Sequence, residues 1–447
     1  MTGFAISSYG TFLNMVALNL YVYAVTGRAL AVGVLMAVRL AAGFVAGLAA
    51  GAMLARWSPK SVMLWANVAQ AAAMLFLILA PDGLHTVSLS VVSAVAGFCG
   101  TVFMVALRSS VPDIVGDERK NWANSFMVSG RSLAMVAGFA SSGVVVSLLG
   151  YTAAFLVDMA TFLVCALTVA LLPLALSPVG RGHGESLENG EHGEAVGDDG
   201  GAEDAGRRSR RRFLSRFVAL GAAPALALMV LLRGVDALGS SSHNAALPVY
   251  STAFDADNPA VFVSVFWCVW ALGNILVQQV LQRYTRRTER TVGALGFGLG
   301  TIAMSGAFIL AFAGLPWAAT IAIALVAGAA DGLTEVSYTS HLQTLPGPVR
   351  THAFGTSATV ENLGFGVGMI VVAAALDSFT ALSVVGVAHG VAIAVALVFV
   401  VRLLRQRGVA EAESESTSAE NSGDRKGADD AGPACGGRRD GAEVSGS

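Results

Sequence analysis

Apolar residues in this chain gather into about twelve blocks, each broken from the next by a short polar turn. The blocks cover approximately 4–25, 30–54, 61–80, 86–108, 125–149, 152–176, 217–250, 259–281, 291–313, 317–341, 353–376 and 380–403. A helix needs roughly 20 apolar residues to cross about 30 Å of hydrocarbon, and the blocks have that length. None alternates polar with apolar as a membrane barrel strand would. Backbone groups in lipid must bond within their own segment, so the pattern predicts helices. The turns between them carry Thr26-Gly27, Ser58-Pro59, Pro81-Asp82-Gly83, Asp257-Asn258-Pro259 and Pro346-Gly347-Pro348. The expectation is an all-α membrane protein of twelve transmembrane helices. It would have a first bundle over 1–176, a central loop over 177–216, a second bundle over 217–404 and a tail over 405–447.

Composition agrees: 55% of residues are hydrophobic and 13% charged, and the mean hydropathy is +0.66, far more apolar than a soluble domain. The first apolar run starts almost at Met1 and is long enough to be a span rather than a cleaved leader. Three cysteines fall inside spans and Cys435 in the tail, which offers no disulfide framework and no metal spacing. The central loop and the tail are rich in Gly, Glu, Ser and Asp. They bury too little apolar surface to offset chain entropy, so both are expected to be disordered. Arg greatly outnumbers Lys and Ala, Gly and Val abound, a bias that suggests a GC-rich bacterium.

Positive charge then fixes an orientation. The even-numbered connections carry Arg56, Lys60, Arg108, Arg119, Lys120, the Arg207–Arg212 cluster, Arg283, Arg286, Arg287, Arg290 and Arg350, and the stem of the tail adds Arg402, Arg405 and Arg407. The odd-numbered connections carry Arg28 alone. Cytoplasmic loops retain cations, so both termini are expected in the cytoplasm and the protein in the plasma membrane.

Seven charges break this sorting because they lie inside spans: Arg39, Arg131, Arg233, Asp236, Asp331, Glu335 and Glu361. A charge near the bilayer centre costs at least a few kcal/mol, so each needs a partner or a function. Arg233 and Asp236 are three apart and share a helix face, which favours a self-neutralising pair. Asp331 and Glu335 are four apart; two carboxylates on one face repel when both are ionised, so one of them is suited to hold a proton. In the alternative arrangement each carboxylate pairs statically with Arg39 or Arg131 across the two halves. Asp158 and His389 read as structural hydrogen-bonding groups, and His243 as a solvated one near the outer end of its helix. Tyr9, Asn14 and Asn19 are candidate polar contacts for a small molecule in an otherwise apolar cavity; Phe12, Trp267 and Trp270 are candidate aromatic ones. Gly43, Gly47 and Gly51 recur every four residues, as close helix packing requires.

The two halves are weakly similar to each other. Ala123 and Arg131 stand eight apart, as do Ala353 and Glu361, and Gly138 and Gly368 follow at the same offset. Such parallel repeats mark one class of secondary transporters. Six plus six helices with a charged central loop resemble the major facilitator superfamily, and its drug:proton antiporter branch of macrolide-efflux and enterobactin-exporter-like proteins in particular. Pro112-Asp113-Ile114-Val115, Asn121-Trp122-Ala123-Asn124-Ser125, Arg131 and Gly138 carry that likeness. The loop Gly51-Ala52-Met53-Leu54-Ala55-Arg56-Trp57-Ser58-Pro59-Lys60 matches the superfamily's gating loop at Gly51, Arg56 and Lys60. Ala55 stands where the family has an acidic residue, and Asp113 is the candidate substitute. Phe139 replaces the branch's Pro after Gly138.

The resemblance implies a major facilitator fold in which the first, fourth, seventh and tenth helices line a central cavity. It also implies proton-coupled efflux of a small amphipathic compound, with Asp331, Glu335, Glu361 and Asp236 as proton carriers. Arg39, Arg131 and Arg233 would be charge partners or substrate contacts. An importer or facilitator of an anionic solute is the alternative, and a non-transporting sensor or scaffold a third. No Gly-rich phosphate loop and no nucleophile–base or metal constellation accompanies the spans, so neither an enzyme nor a cofactor is expected. The expected partners are the lipid bilayer, a small-molecule substrate and protons, with no nucleic acid, and the expected state is a monomer.

Overall fold

Gly150, at φ 81° and ψ 174°, breaks what would otherwise be one helix from Lys120 to Ala170. Only glycine adopts that conformation without strain, and it turns the chain at the predicted boundary between the fifth and sixth spans. The structure, a computed structural model, describes residues 2–171, 224–288, 292–345 and 347–429. Eleven helical stretches lie among them: α1 (Thr2–Thr26), α2 (Ala29–Arg56), α3 (Pro59–Leu79), α4 (His85–Val115), the broken stretch Lys120–Ala170, α7 (Pro224–Phe254), α8 (Pro259–Thr288), α9 (Gly293–Ala311), α10 (Trp317–Gln343), α11 (Gly347–Leu376) and α12 (Ala381–Asp429). The two arms of the broken stretch, residues 120–149 and 151–170, are α5 and α6. The central loop 177–216 lies outside the described residues.

Nine stretches among the described residues are long and apolar enough to cross a membrane. Of those expected from the sequence, α5 and α6 count as one, and α1 and α7 fall outside. These last two are the polar helices: α1 buries Ser7, Ser8 and Asn14, and α7 buries Asp236, Ser241, Ser242 and His243. These polar groups are buried inside the protein, which lowers the apolarity of the helix without exposing a charge to lipid.

Two helix ends differ from expectation. α4 continues through Pro112 to Val115 and so takes in Arg108, which the sequence placed in a loop. α12 continues to Asp429, beyond the predicted end of the last span. The chain forms two units, Met1–Phe399 and Val400–Ser447; the second is described only as the continuation of α12.

Within the first unit the packing repeats with an offset of six helices. α2 packs on α4 as α8 packs on α10, α3 on α4 as α9 on α10, and α1 on α5 as α7 on α11. Between the halves, α5 meets α8 and α11 meets α2. The repeat extends to single atoms. A methyl on Gly97 of α4 would overlap the Arg39 carbonyl of α2, and one on Gly328 of α10 would overlap the Trp270 carbonyl of α8. Gly138 and Gly368 each press on the first helix of their own half, near Tyr9 and Phe12 and near Leu238 and Ser241. The small-residue row of α2 is only partly used for packing: Gly43 approaches Gly97 and Thr101, whereas Gly47 and Gly51 have nothing near them.

The contacts between halves cluster at one end. Ser142 of α5 bonds Ser264 of α8 at 2.8 Å, and Asp377 accepts from the Ala29 amide at 3.1 Å. Both lie toward the odd-numbered connections.

Overpacking a tight crossing costs roughly 1–3 kcal/mol or more. Gly97→Leu and Gly328→Leu are therefore expected to lower the thermal unfolding temperature in detergent, and Gly51→Ala to leave it unchanged. Equal melting of all three proteins would show that the two crossings are not tight.

Candidate functional site

One guanidinium organises the acidic residues of the second half. Arg233, on α7, donates from Nη2 to Glu335 of α10 at 2.6 Å and to Glu361 of α11 at 3.0 Å. Its Nε donates to the other Glu361 oxygen at 3.2 Å, so Glu361 is held bidentately, the strongest form of this pairing. Asp236, one turn along α7, is 3.8 Å from Nη1. The Tyr338 ring lies 5.2 Å from the Arg233 carbon, within range of a cation–π contact, and the Tyr338 hydroxyl bonds Ser357 at 2.5 Å. Asp331 makes no ion pair with Arg233 and accepts from Asn274 of α8 at 2.9 Å.

This geometry revises three expectations. The carboxylates do not pair with Arg39 or Arg131 across the halves. Arg233 and Asp236 are not a self-contained pair, because Glu335 and Glu361 are nearer. Asp331 and Glu335 share a helix face but turn to different partners. The reason is reach: residue 361 lies on α11, which packs on α7, and residue 335 on α10 comes within range of the long guanidinium, so both are met within the same half.

Arg39 and Arg131 sit in the first half and make no ion pair among the described residues. Arg131 lies 5.2 Å over the Phe12 ring. With Arg108 they line a cavity of about 790 Å³ that also presents Asn67, Gln70 and Thr101 and, among the described residues, no carboxylate. It runs from Arg39 to Gly47 and Leu48 along α2 and from Ala96 to Arg108 along α4, toward the even-numbered connections. Arg108 was hidden in the sequence because the fourth apolar block ends at it.

A second cavity, of about 240 Å³, shares Phe12 and Met15 with the first. Its walls include Phe139, Trp267, Trp270, His243 and Asp331. Phe139 lies 6.0 Å from Trp267 across the two halves, and Trp267 meets Trp270 edge to face at 5.2 Å. Phe139, at the position of the branch's proline, thus supplies an aromatic wall.

The other candidates scatter. Tyr9 bonds Ser141 of α5 at 3.0 Å. Asn14 is buried against Asp158 of α6, and Asn19 lines neither cavity. His243 is not solvated: it is buried, stacked on Phe308 and bonded to His389 of α12 at 3.2 Å. His389 in turn bonds Ser305 of α9 at 3.1 Å. The gating-loop residues sit at helix ends. Gly51 and Arg56 lie in the last turns of α2 and Lys60 opens α3, where Ser58 caps the helix by accepting from the Ser61 amide at 3.2 Å. Asp113 is in α4, and its side chain lies outside those described.

Removing one partner from a buried ion pair costs about 3–5 kcal/mol, because the other charge is left uncompensated. Arg233→Met is expected to destabilise the protein strongly, whereas Glu335→Gln, at a half-exposed side chain, should change stability little. Thermal unfolding of the two variants in detergent checks this; equal stability would show that Arg233 is not a hub.

The fold has many counterparts among solved structures. The nucleoside transporter NupG superposes with a TM-score of 0.63 at 14% identity, covering 89% of this chain and 97% of that one. A bacterial homologue of the iron transporter ferroportin in its inward-facing state gives 0.64 at 12%, covering 89% and 97%. The POT family transporter PepTSo gives 0.62 at 11%, covering 91% and 97%. No curated protein matches the chain by sequence. The family model for the Major Facilitator Superfamily matches residues 1–369. These matches point to a transporter and not to an enzyme, and with its apolar helices the chain is a multi-pass membrane protein of the major facilitator superfamily.

Proposed function

We propose that this protein is a proton-coupled secondary transporter of a small amphipathic organic anion, working by alternating access. One observation carries the reading: among the described residues the large cavity is lined by Arg39, Arg108 and Arg131 without a carboxylate, and it adjoins an aromatic cavity across Phe12 and Met15. Three cations at a water-accessible site suit a negatively charged group, and Trp267, Trp270 and Phe139 suit an apolar ring beside it. Fold relatives whose names specify a nucleoside and an iron transporter show that the fold does not choose the solute. The residues of the site must.

Proton coupling rests on Glu335, Glu361 and Asp236, which surround a single arginine, and on Asp331, which bonds Asn274 on the neighbouring α8. Adding a proton there removes like-charge repulsion and loosens the grip on Arg233. Two directions of transport fit. The likeness to drug:proton antiporters supports export in exchange for protons from the plasma membrane of a GC-rich bacterium. The arginine-lined cavity supports uptake of an anion together with protons. The arginines of the even-numbered connections support a cytoplasmic position for the open end of the cavity.

Retention of anionic and cationic aromatic compounds by an efflux-deficient host, with and without a proton uncoupler, tests the proposal. Uncoupler-sensitive movement of anionic compounds is expected, with cationic dyes unaffected; movement of cationic dyes alone would refute the anion reading. Arg131→Gln should abolish transport. Glu361→Gln and Asp331→Asn should abolish uphill transport and leave exchange; wild-type uphill transport in both would reject the coupling assignment.

A further inference from the structure

A third, much smaller cavity lies deeper in the first half, and its chemistry differs from that of the other two. It has a volume of about 20 Å³, room for about one water. Asn14 and Thr11 of α1, Arg39 of α2, Gln70 of α3 and Asp158 of α6 are its polar walls, and α4 contributes only Val92, Val95 and Ala96. Asp158 is 1% exposed and Asn14 6%. Arg39 is the only other charged wall, and it makes no ion pair with Asp158.

The hydrogen bonds around Asp158 leave a specific deficit. Asn14 donates from Nδ2 to Asp158 Oδ2 at 2.7 Å, and the same nitrogen reaches the Met74 sulfur at 3.7 Å. The Thr161 hydroxyl is engaged with the Asp158 backbone carbonyl at 2.7 Å. Asp158 Oδ1 and Asn14 Oδ1 therefore remain, both buried and both acceptors without a donor. Two such acceptors on side chains already joined by one bond have no donor among the described protein groups, and one hydrogen placed between them would serve both. Leaving buried polar atoms unpaired costs about 1–3 kcal/mol each.

We propose that Asp158 takes up a proton on Oδ1 and donates it to Asn14 Oδ1, closing an acid–amide pair, and thereby removes the negative charge that competes with an anionic solute for Arg39. Arg39 lines both this cavity and the large one. It faces a carboxylate when Asp158 is ionised and is free to turn to the solute when Asp158 is neutral. Charge is conserved within the cavity: the solute's negative charge replaces the one that the proton removes. The inference rests on the anionic-solute reading above and gives that reading a sign. Proton and solute bind together at this point, so the first half works as a cotransport site. This favours the uptake direction, while the carboxylates around Arg233 form a separate group in the other half.

Infrared difference spectra of the purified protein across pH test the proton site without any solute. A carboxylic C=O component is expected in the wild type, absent in Asp158→Asn and shifted in Asn14→Leu, with thermal unfolding confirming that both variants fold. Spectra of wild type and Asp158→Asn that coincide at every pH would overturn the proposal. The coupling is read by adding benzoate to weakly buffered protein in detergent. Linkage requires that binding take up roughly one proton per anion in the wild type, and none in Asp158→Asn, which still binds. Proton release, or unchanged uptake in that variant, would overturn the link to Arg39. An intact Asp158 band without benzoate binding in either protein supports the proton site and counts against the anionic-solute reading instead.

Discussion

A guanidinium held away from water is tolerated only if the protein supplies what water would have supplied. Arg233 receives that from Glu335, Glu361 and Asp236, on three helices of the second half, and from the face of Tyr338. The arrangement ties α7, α10 and α11 into one charged knot. Its surplus is negative, whereas the first half gathers Arg39, Arg108 and Arg131 around open space. The two halves are related in backbone and opposed in charge, and the proposed division of labour follows from that opposition.

The backbone relationship is the firmer of the two. Gly97 against the Arg39 carbonyl and Gly328 against the Trp270 carbonyl are the same crossing built twice. At such a crossing the main chains set the distance and the side chains of residues 39 and 270 project freely. One half places a cation there and the other an indole, without altering how its helices meet. The halves touch each other chiefly through α5 with α8 and α2 with α11, so relative motion has to pass through small groups such as Ser142, Ser264 and Gly33.

Sequence reasoning reached the helices readily because lipid imposes one length and one apolarity on each span. Even the turn at Gly150 was legible, from the break between two apolar blocks. It reached the site less well. The intramembrane charges were visible as a set, but their partners depended on which helix lay beside α7, and spacing along one helix says nothing of that. Arg108 was assigned to a loop because the fourth apolar block ends at it. His243 was read as solvated because no pattern in α12 announces that His389 will face it. The two unpaired oxygens of Asp158 and Asn14 arise between residues 144 apart; only the fold brings them together.

The arginine-lined cavity has an electrical consequence as well. Moving one unit charge across a membrane exchanges about 2.3 kcal/mol with each 100 mV of potential. An anion carried alone would be driven out of a negatively charged cell and resisted on its way in. Carried with the proton of Asp158 it crosses as a neutral passenger, and the voltage performs no work on it. In the proposed cotransport, the placement of one carboxylate behind Arg39 decides whether transport draws on the potential or only on the proton concentration difference.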